Sequence, residues 1–222
     1  MSDTPWADVD RYLVDLLIPA DDALDHAAQA STVAGLPPIA VTPTFGKLLH
    51  ILARLVGARR ILEIGTLGGY STIWLARAVG PGGRVTTLEL DAKHAALAEA
   101  NIAHAGLLDV VDIRLGRAAE TLATIHDERG APYDMIFIDA DKASIPEYFT
   151  WSLQLSRAGS LILVDNVIRN GAVIDGSSPD PNIIGVRRFN EMLADEPRVT
   201  ATTIQTVGAK GYDGMTVAIV NG

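Results

Sequence analysis

The stretch ILEIGTLGGYSTIWLA, Ile61–Ala76, decides the fold. It passes from a short apolar run through three glycines into residues whose apolar positions recur at helical spacing. A strand that turns tightly into a helix is the opening unit of a parallel α/β sheet, and such sheets bind ligands at the carboxyl ends of their strands. Gly65, Gly68 and Gly69 allow a close backbone approach there, because no Cβ intervenes. The next strand, RVTTLEL, ends on Glu89 and Leu90. A carboxylate in that place can accept both hydroxyls of a ribose.

The order of the glycines narrows the ligand. A dinucleotide site shows G-x-G-x-x-G and a bare helix N-terminus facing a pyrophosphate. Here the order is E-x-G-x-x-G-G, and Glu63 is expected to aim its charge into the region a pyrophosphate would fill. That suits a cationic, phosphate-free nucleoside such as S-adenosylmethionine better than NAD. A glycine turn with no ligand is the bland alternative.

Working outward, β-rich runs alternate with helical ones. Strands are expected at RILEI, RVTTLEL, VVDIRL, DMIFID and SLILVD, with helices at Tyr70–Val79, Ala92–Ala105, Ala118–Asp127 and Ser144–Arg157. This alternation predicts a mostly parallel sheet covered on both faces, and wholly apolar runs such as MIFI and LILV predict central strands. After Asp165 comes a turn-rich loop, NGAVIDGSSPDPN, then a helix at Ile183–Leu193. Two final strands, VTATTIQ and MTVAIV, are joined by TVGAKGYDG, a hairpin-sized link that predicts an antiparallel pair. That makes seven strands.

Ahead of the sheet, Trp6, Val9, Leu13, Leu16 and Leu17 form an apolar stripe on a first helix. A second helix is expected over Ala20–Val33. Thr42 and Pro43 read as the cap and first residue of a third, which Gly57 stops. One domain is expected over 1–222, with residues 1–57 serving lid or dimer contacts and 58–222 forming a Rossmann-like core.

Composition excludes several classes. The chain has no cysteine, so disulfides, zinc thiolates and a cysteine nucleophile are absent. A net charge of −9 argues against non-specific binding to nucleic acid or anionic lipid. No apolar run approaches membrane-span length, and MSDTPWADVDR does not have the layout of a signal peptide, so the cytoplasm is the expected compartment.

A second constellation lies in DMIFIDADK, where an apolar strand runs straight into Asp139, Asp141 and Lys142. If that strand neighbours SLILVD, then Asp139, Asp165 and Asn166 meet at the ligand edge. Two carboxylates and an amide oxygen suit Mg²⁺, Mn²⁺ or Ca²⁺. The bland reading makes Asp139 a helix cap and DNVIRNG a turn. Beside a cation, like-charge repulsion would favour a neutral Lys142 able to act as a base. Asp141 could orient Lys142 or hold a water, or the two could form a solvated pair.

Taken together, VTPTFGKLL, LEIGTLGGYS, LELD, FIDADK and LVDNVIRNG resemble the cation-dependent O-methyltransferase family of catechol and caffeoyl-CoA O-methyltransferases, and its short bacterial members above all. The resemblance implies a Rossmann-like class I methyltransferase that is S-adenosylmethionine-dependent, works with a divalent cation and forms a homodimer. Its acceptor would be a small hydroxylated aromatic. A tRNA hydroxyuridine methyltransferase would keep the same motifs, though the acidic charge counts against it. On this resemblance Glu63, Gly65 and Ser71 approach the amino-acid end of the cofactor and Glu89 its ribose. Gly116 and Ala118 border the adenine, Val41 and Thr42 lie over the cofactor, and Thr66, Gly69, Tyr70 and Leu90 complete its surroundings. Asp139, Asp165 and Asn166 match the metal ligands, and Lys142 matches the base. Arg169 and Ala143–Ser144 depart from the plant members, so the implication concerns the chemistry more than the plant substrate.

Overall fold

The computed structural model describes residues 5–222. Three helices lead: α1 (Pro5–Leu17), α2 (Asp22–Val33) and α3 (Pro43–Leu55). Thr42 caps α3 by accepting from the Phe45 amide at 3.3 Å, with Pro43 as its first residue, as the sequence predicts. α2 starts two residues later than expected from Ala20. The Asp21 carboxylate accepts from the Leu24 amide at 3.1 Å and so sets the helix start.

Alternating elements follow: β1 (Arg60–Ile64), α4 (Tyr70–Ala78), β2 (Arg84–Glu89), α5 (Ala92–His104), β3 (Val111–Leu115), α6 (Ala118–Asp127) and β4 (Tyr133–Ile138). After a 3₁₀ turn at Lys142–Ser144 come α7 (Ile145–Leu155), β5 (Ser156–Asp165), α8 (Pro181–Asp195), β6 (Val199–Gly208) and β7 (Gly211–Val220). They form one seven-stranded sheet in the order β3-β2-β1-β4-β5-β7-β6, parallel except for β7, which runs antiparallel to both of its neighbours. Order reverses between β1 and β4, and this is where a ligand crevice opens in such folds.

The sheet is buried on both faces. Leu49, Ile73, Leu75 and Ile102 fill one side, and Leu122, Phe149 and Phe189 the other. Phe149 meets Phe189 edge to face at 5.2 Å. Losing either ring would cost about 3–5 kcal/mol through the cavity left behind. α1 is different, because none of its residues is buried and Trp6, Val9, Leu16 and Leu17 are exposed. No described helix is long and apolar enough to cross a membrane.

Two later boundaries differ most from expectation. α7 ends at Leu155 and β5 starts at Ser156, because the Ser160 hydroxyl donates to the Tyr133 carbonyl at 2.7 Å and accepts from the Arg157 amide, which extends the strand past a register shift. The expected nine-residue link TVGAKGYDG is mostly strand: Thr206–Gly208 pair with Gly211–Asp213, leaving Ala209 and Lys210 as the turn. β-branched and aromatic residues there favour pleated pairing, and Gly211 takes the positive φ of +95°.

Candidate active site

β1 and β2 run side by side with Ile64 opposite Leu88, so the glycine loop leaves the sheet next to Glu89. Leu67 within that loop has a φ of +51°, a strained conformation for a branched residue. Its amide donates to Glu89 Oε2 at 2.8 Å, which holds the loop in place. The other carboxylate oxygen accepts from the Leu90 and Asp91 amides, both at 2.9 Å. A carboxylate has about four lone-pair sites, so roughly one remains for a ligand hydroxyl. Gly116, with its amide on the Glu89 carbonyl at 2.8 Å, brings the start of α6 and Ala118 to the same place.

The glycines have a reason that sequence reading did not find. A Cβ on Gly65 would lie 2.2 Å from the Asp139 carbonyl oxygen, and one on Gly68 would lie 2.2 Å from the Ser31 hydroxyl. Gly69 abuts Ala98 and carries a φ of +82°. Protein neighbours therefore already require small residues here. Glu63 differs from expectation too. It is enclosed rather than aimed at the cleft, and accepts from the Ser71, Thr72 and Thr87 hydroxyls at 2.6, 2.5 and 2.7 Å. Burial raises its pKa to about 7 against the pull of those donors. Thr66, also buried, shares a hydrogen bond with Thr87 at 2.6 Å. Half-buried Tyr70 opens α4, and burial raises its phenol. Val41 is buried in the core at the foot of α3, while Pro43 shares a surface groove with Tyr70.

On the other side of the crossover, Ile138 of β4 pairs with Val164 of β5, so Asp139 and Asp165 stand together beyond the strand ends. Lys142, buried, donates to Asp139 Oδ1 at 2.7 Å. Asp165 accepts the Asn166 amide at 2.8 Å. Burial and then the charge of Asp139 raise the Asp165 carboxyl, with Lys142 pulling the other way. Asn166 has a φ of +61°, which asparagine tolerates better than most residues. No group of three His, Cys, Asp or Glu suited to a metal occurs among the described residues, so a cation here would need the Asn166 amide as well. The donor set fits a hard cation. Two crowded carboxylates face one ammonium, and all the oxygens are of the kind Mg²⁺, Mn²⁺ and Ca²⁺ prefer.

Asp141 is the cap that the bland reading had assigned to Asp139. Its oxygens take the Ser144 amide at 3.1 Å and the Tyr148 hydroxyl at 2.5 Å, leaving Lys142 to Asp139. Burial, and then Asp141, push the Tyr148 phenol up. Other contributors gave no sequence signal. Asp213 on β7 accepts the Ile168 and Arg169 amides at 3.0 and 2.9 Å and so fixes the loop that carries Asn166. Lys210, in the β6–β7 turn, reaches the same region. Neither belongs to a periodic pattern or a spaced motif, since only the return of the hairpin brings them here.

Comparison with known proteins agrees with this geometry. The O-methyltransferase family profile matches residues 20–219. A catechol O-methyltransferase of Niastella koreensis is 52% identical over 220 residues, covering 99% of this chain and 100% of its own. An O-methyltransferase from Bacillus cereus, solved in complex with SAH, superposes with a TM-score of 0.96 at 54% identity, covering 97% of this chain and 98% of its own. TomG from Streptomyces achromogenes, an O-methyltransferase involved in tomaymycin synthesis and solved with SAM, has the same TM-score and identity with 100% of both chains covered. With the glycine loop, the acid-ended strands and likeness over nearly the whole length in agreement, this chain belongs to the O-methyltransferase family.

Proposed function

We propose that this enzyme transfers the methyl group of S-adenosylmethionine to one hydroxyl of a small aromatic bearing adjacent hydroxyls, with Mg²⁺ as its cation and Mn²⁺ or Ca²⁺ as substitutes. The observation that carries the reading is the juxtaposition, across one crossover of the sheet, of two unlike acidic sites. Glu89 sits beside the glycine loop, and Asp139 and Asp165 sit beside Lys142. The naming of the Niastella relative supports the acceptor class, and the SAH and SAM of the two solved relatives support the methyl donor.

Glu89 would accept a ribose hydroxyl at its free lone pair, with Gly116 and Ala118 next to the base. Gly65, Gly69 and Ser71 would line the amino-acid end, and Val41 and Thr42 would close over the donor. Asp139, Asp165 and the Asn166 amide would hold the cation, whose Lewis acidity would lower the pKa of an acceptor hydroxyl beside Lys142. Lys142 takes the hydroxyl proton at Nζ while the acceptor oxygen takes the methyl group in line and S-adenosylhomocysteine leaves. This displacement depends on near-attack geometry rather than a covalent enzyme intermediate.

The whole chain acts as one catalytic domain, placed in the cytoplasm. The exposed face of α1, with Leu55 and Ile204 also exposed, fits a homodimer contact, since monomers avoid apolar patches of this kind. Light scattering at micromolar concentration should give twice the chain mass. The main test follows labelled methyl transfer to catechols, flavonoids and tRNA. Transfer to catechols is expected, and transfer to tRNA alone would overturn the reading.

A further inference from the structure

Residues 34–42, between α2 and α3, form a strap without regular structure. Its two ends are fastened by burial of Leu36 and Val41, and the Leu36 amide bonds the Ser31 carbonyl at 3.0 Å. Pro37, Pro38, Ile39 and Ala40 between them are exposed. The carbonyls of Ile39 and Ala40 both accept from Lys210 Nζ, each at 2.7 Å. Lys210 comes from the far end of the sequence. Among the charges that act on its ammonium are those of Asp139 and Asp165, and the Leu36 anchor of the strap lies against the glycine loop, 3.5 Å from where a Cβ on Gly68 would stand.

The turn that carries this lysine is itself clamped. Asp10 of α1 accepts the Ala209 amide at 2.9 Å on one oxygen and the Thr44 hydroxyl at 3.2 Å on the other. A Cβ on Gly208 would come within 2.8 Å of Asp10 Oδ2, so a larger residue there would push the Asp10 carboxylate aside. A turn lysine ordinarily keeps its ammonium in water. Here the exposed side chain is turned back instead onto two carbonyls of a segment about 170 positions away in the chain. An exposed lysine gives up rotamer freedom to hold such a geometry, so a tie to two carbonyls outside its own hairpin points to a task beyond closing a turn.

We propose that Lys210 is a positioning residue whose ammonium fastens the Ile39–Ala40 backbone across the mouth of the site, so that its release opens the strap for the donor to enter and the demethylated product to leave. The functional half of this rests on the methyl-transfer reading above; the fastening itself does not.

The test compares the full-length wild type with Lys210→Met, Lys210→Arg and Asp10→Ala. Hydrogen exchange at the amides of residues 39–42, without ligand, should quicken roughly tenfold or more in Lys210→Met, the size that loss of a charge-assisted hydrogen bond supports. Lys210→Arg should restore protection, since a guanidinium can still donate to both carbonyls. Asp10→Ala frees the turn without touching the lysine and should give a smaller increase at the same amides. S-adenosylhomocysteine should leave Lys210→Met faster by a comparable factor, with an unchanged Tm. Unchanged exchange in Lys210→Met would overturn the fastening. Faster exchange with unchanged product release would overturn the positioning role and leave a structural tie. A wild type that transfers no methyl group would instead sink the reaction reading, and the exchange result would still stand.

Discussion

On the β1–β2 side of the site, Glu63 and Glu89 each accept three hydrogen bonds from the chain itself. On the β4–β5 side, among the described residues, Asp139 has the Lys142 ammonium and Asp165 the amide of its neighbour Asn166. Both pairs end neighbouring parallel strands of one sheet, yet they are prepared for different partners. Carboxylates saturated by donors hold a loop in shape and present a little polarity to an organic ligand. Carboxylates that are crowded and short of donors keep a demand for positive charge, which a cation can meet.

The most damaging challenge to this contrast is removal of the cation. Chelation should abolish methyl transfer, and added Mg²⁺ or Mn²⁺ should restore it. Asp165→Asn should weaken cation binding at least about 100-fold, since even residues behind the ligands cost 10–100-fold when lost. Full activity in the chelated enzyme would remove the difference between the two sides.

Next in size is Lys142→Met. A lost general base lowers kcat by roughly 10²–10⁴-fold. Donor affinity measured by calorimetry should hardly move, because the lysine acts on the acceptor's proton. Wild-type kcat across the pH range would reduce Lys142 to a counter-charge for Asp139.

Glu63 sharpens the comparison through stability. Its pKa is raised in the fold to about 7 from 4.5, so between those values the native state holds a proton that the unfolded chain has released. Stability should therefore fall as pH rises through that window and level off above it, by roughly 3 kcal/mol at most. Denaturant titrations of wild type and Glu63→Gln at pH 5 and pH 8 test this. The variant should lack the decline, and parallel behaviour of the two proteins would show that the hydroxyl donors outweigh burial.

Smallest is Glu89→Ala, which should weaken S-adenosylmethionine binding by about 1.5–3 kcal/mol for each charge-assisted hydrogen bond lost. Hydrogen exchange at the Leu67 amide should rise in the same variant, because Glu89 Oε2 is its partner. Unchanged affinity with a loosened loop would make Glu89 purely a brace.

Much of this site is written in short stretches of sequence. Thr42 and Pro43 announce α3, and the glycine run announces the β1–α4 turn. FIDADK and LVDNVIRNG place their charges at strand ends, because an apolar strand that stops in Asp leaves the acid at the sheet's edge. Asp141 and Asp139 both suit a cap by sequence, and only the Tyr148 hydroxyl and the Ser144 amide show that Asp141 is the one that caps. The hairpin strands extend further than their sequence predicts, since turn formers look the same whether or not the residues beside them pair.

The layering of the fold and the two acidic strand ends are set by neighbouring residues. These follow from period, capping and turn chemistry acting within a few residues of each other. Which distant groups serve those ends is settled by the packing of the whole chain. Asp10 meets the Ala209 amide across 199 positions of chain, and Lys210 meets Ile39 across 171. Asp213 meets the Ile168 amide across 45. Such contacts carry no local period. They exist because β7 turns back antiparallel beside β5 and brings the last turn of the chain over its first helices.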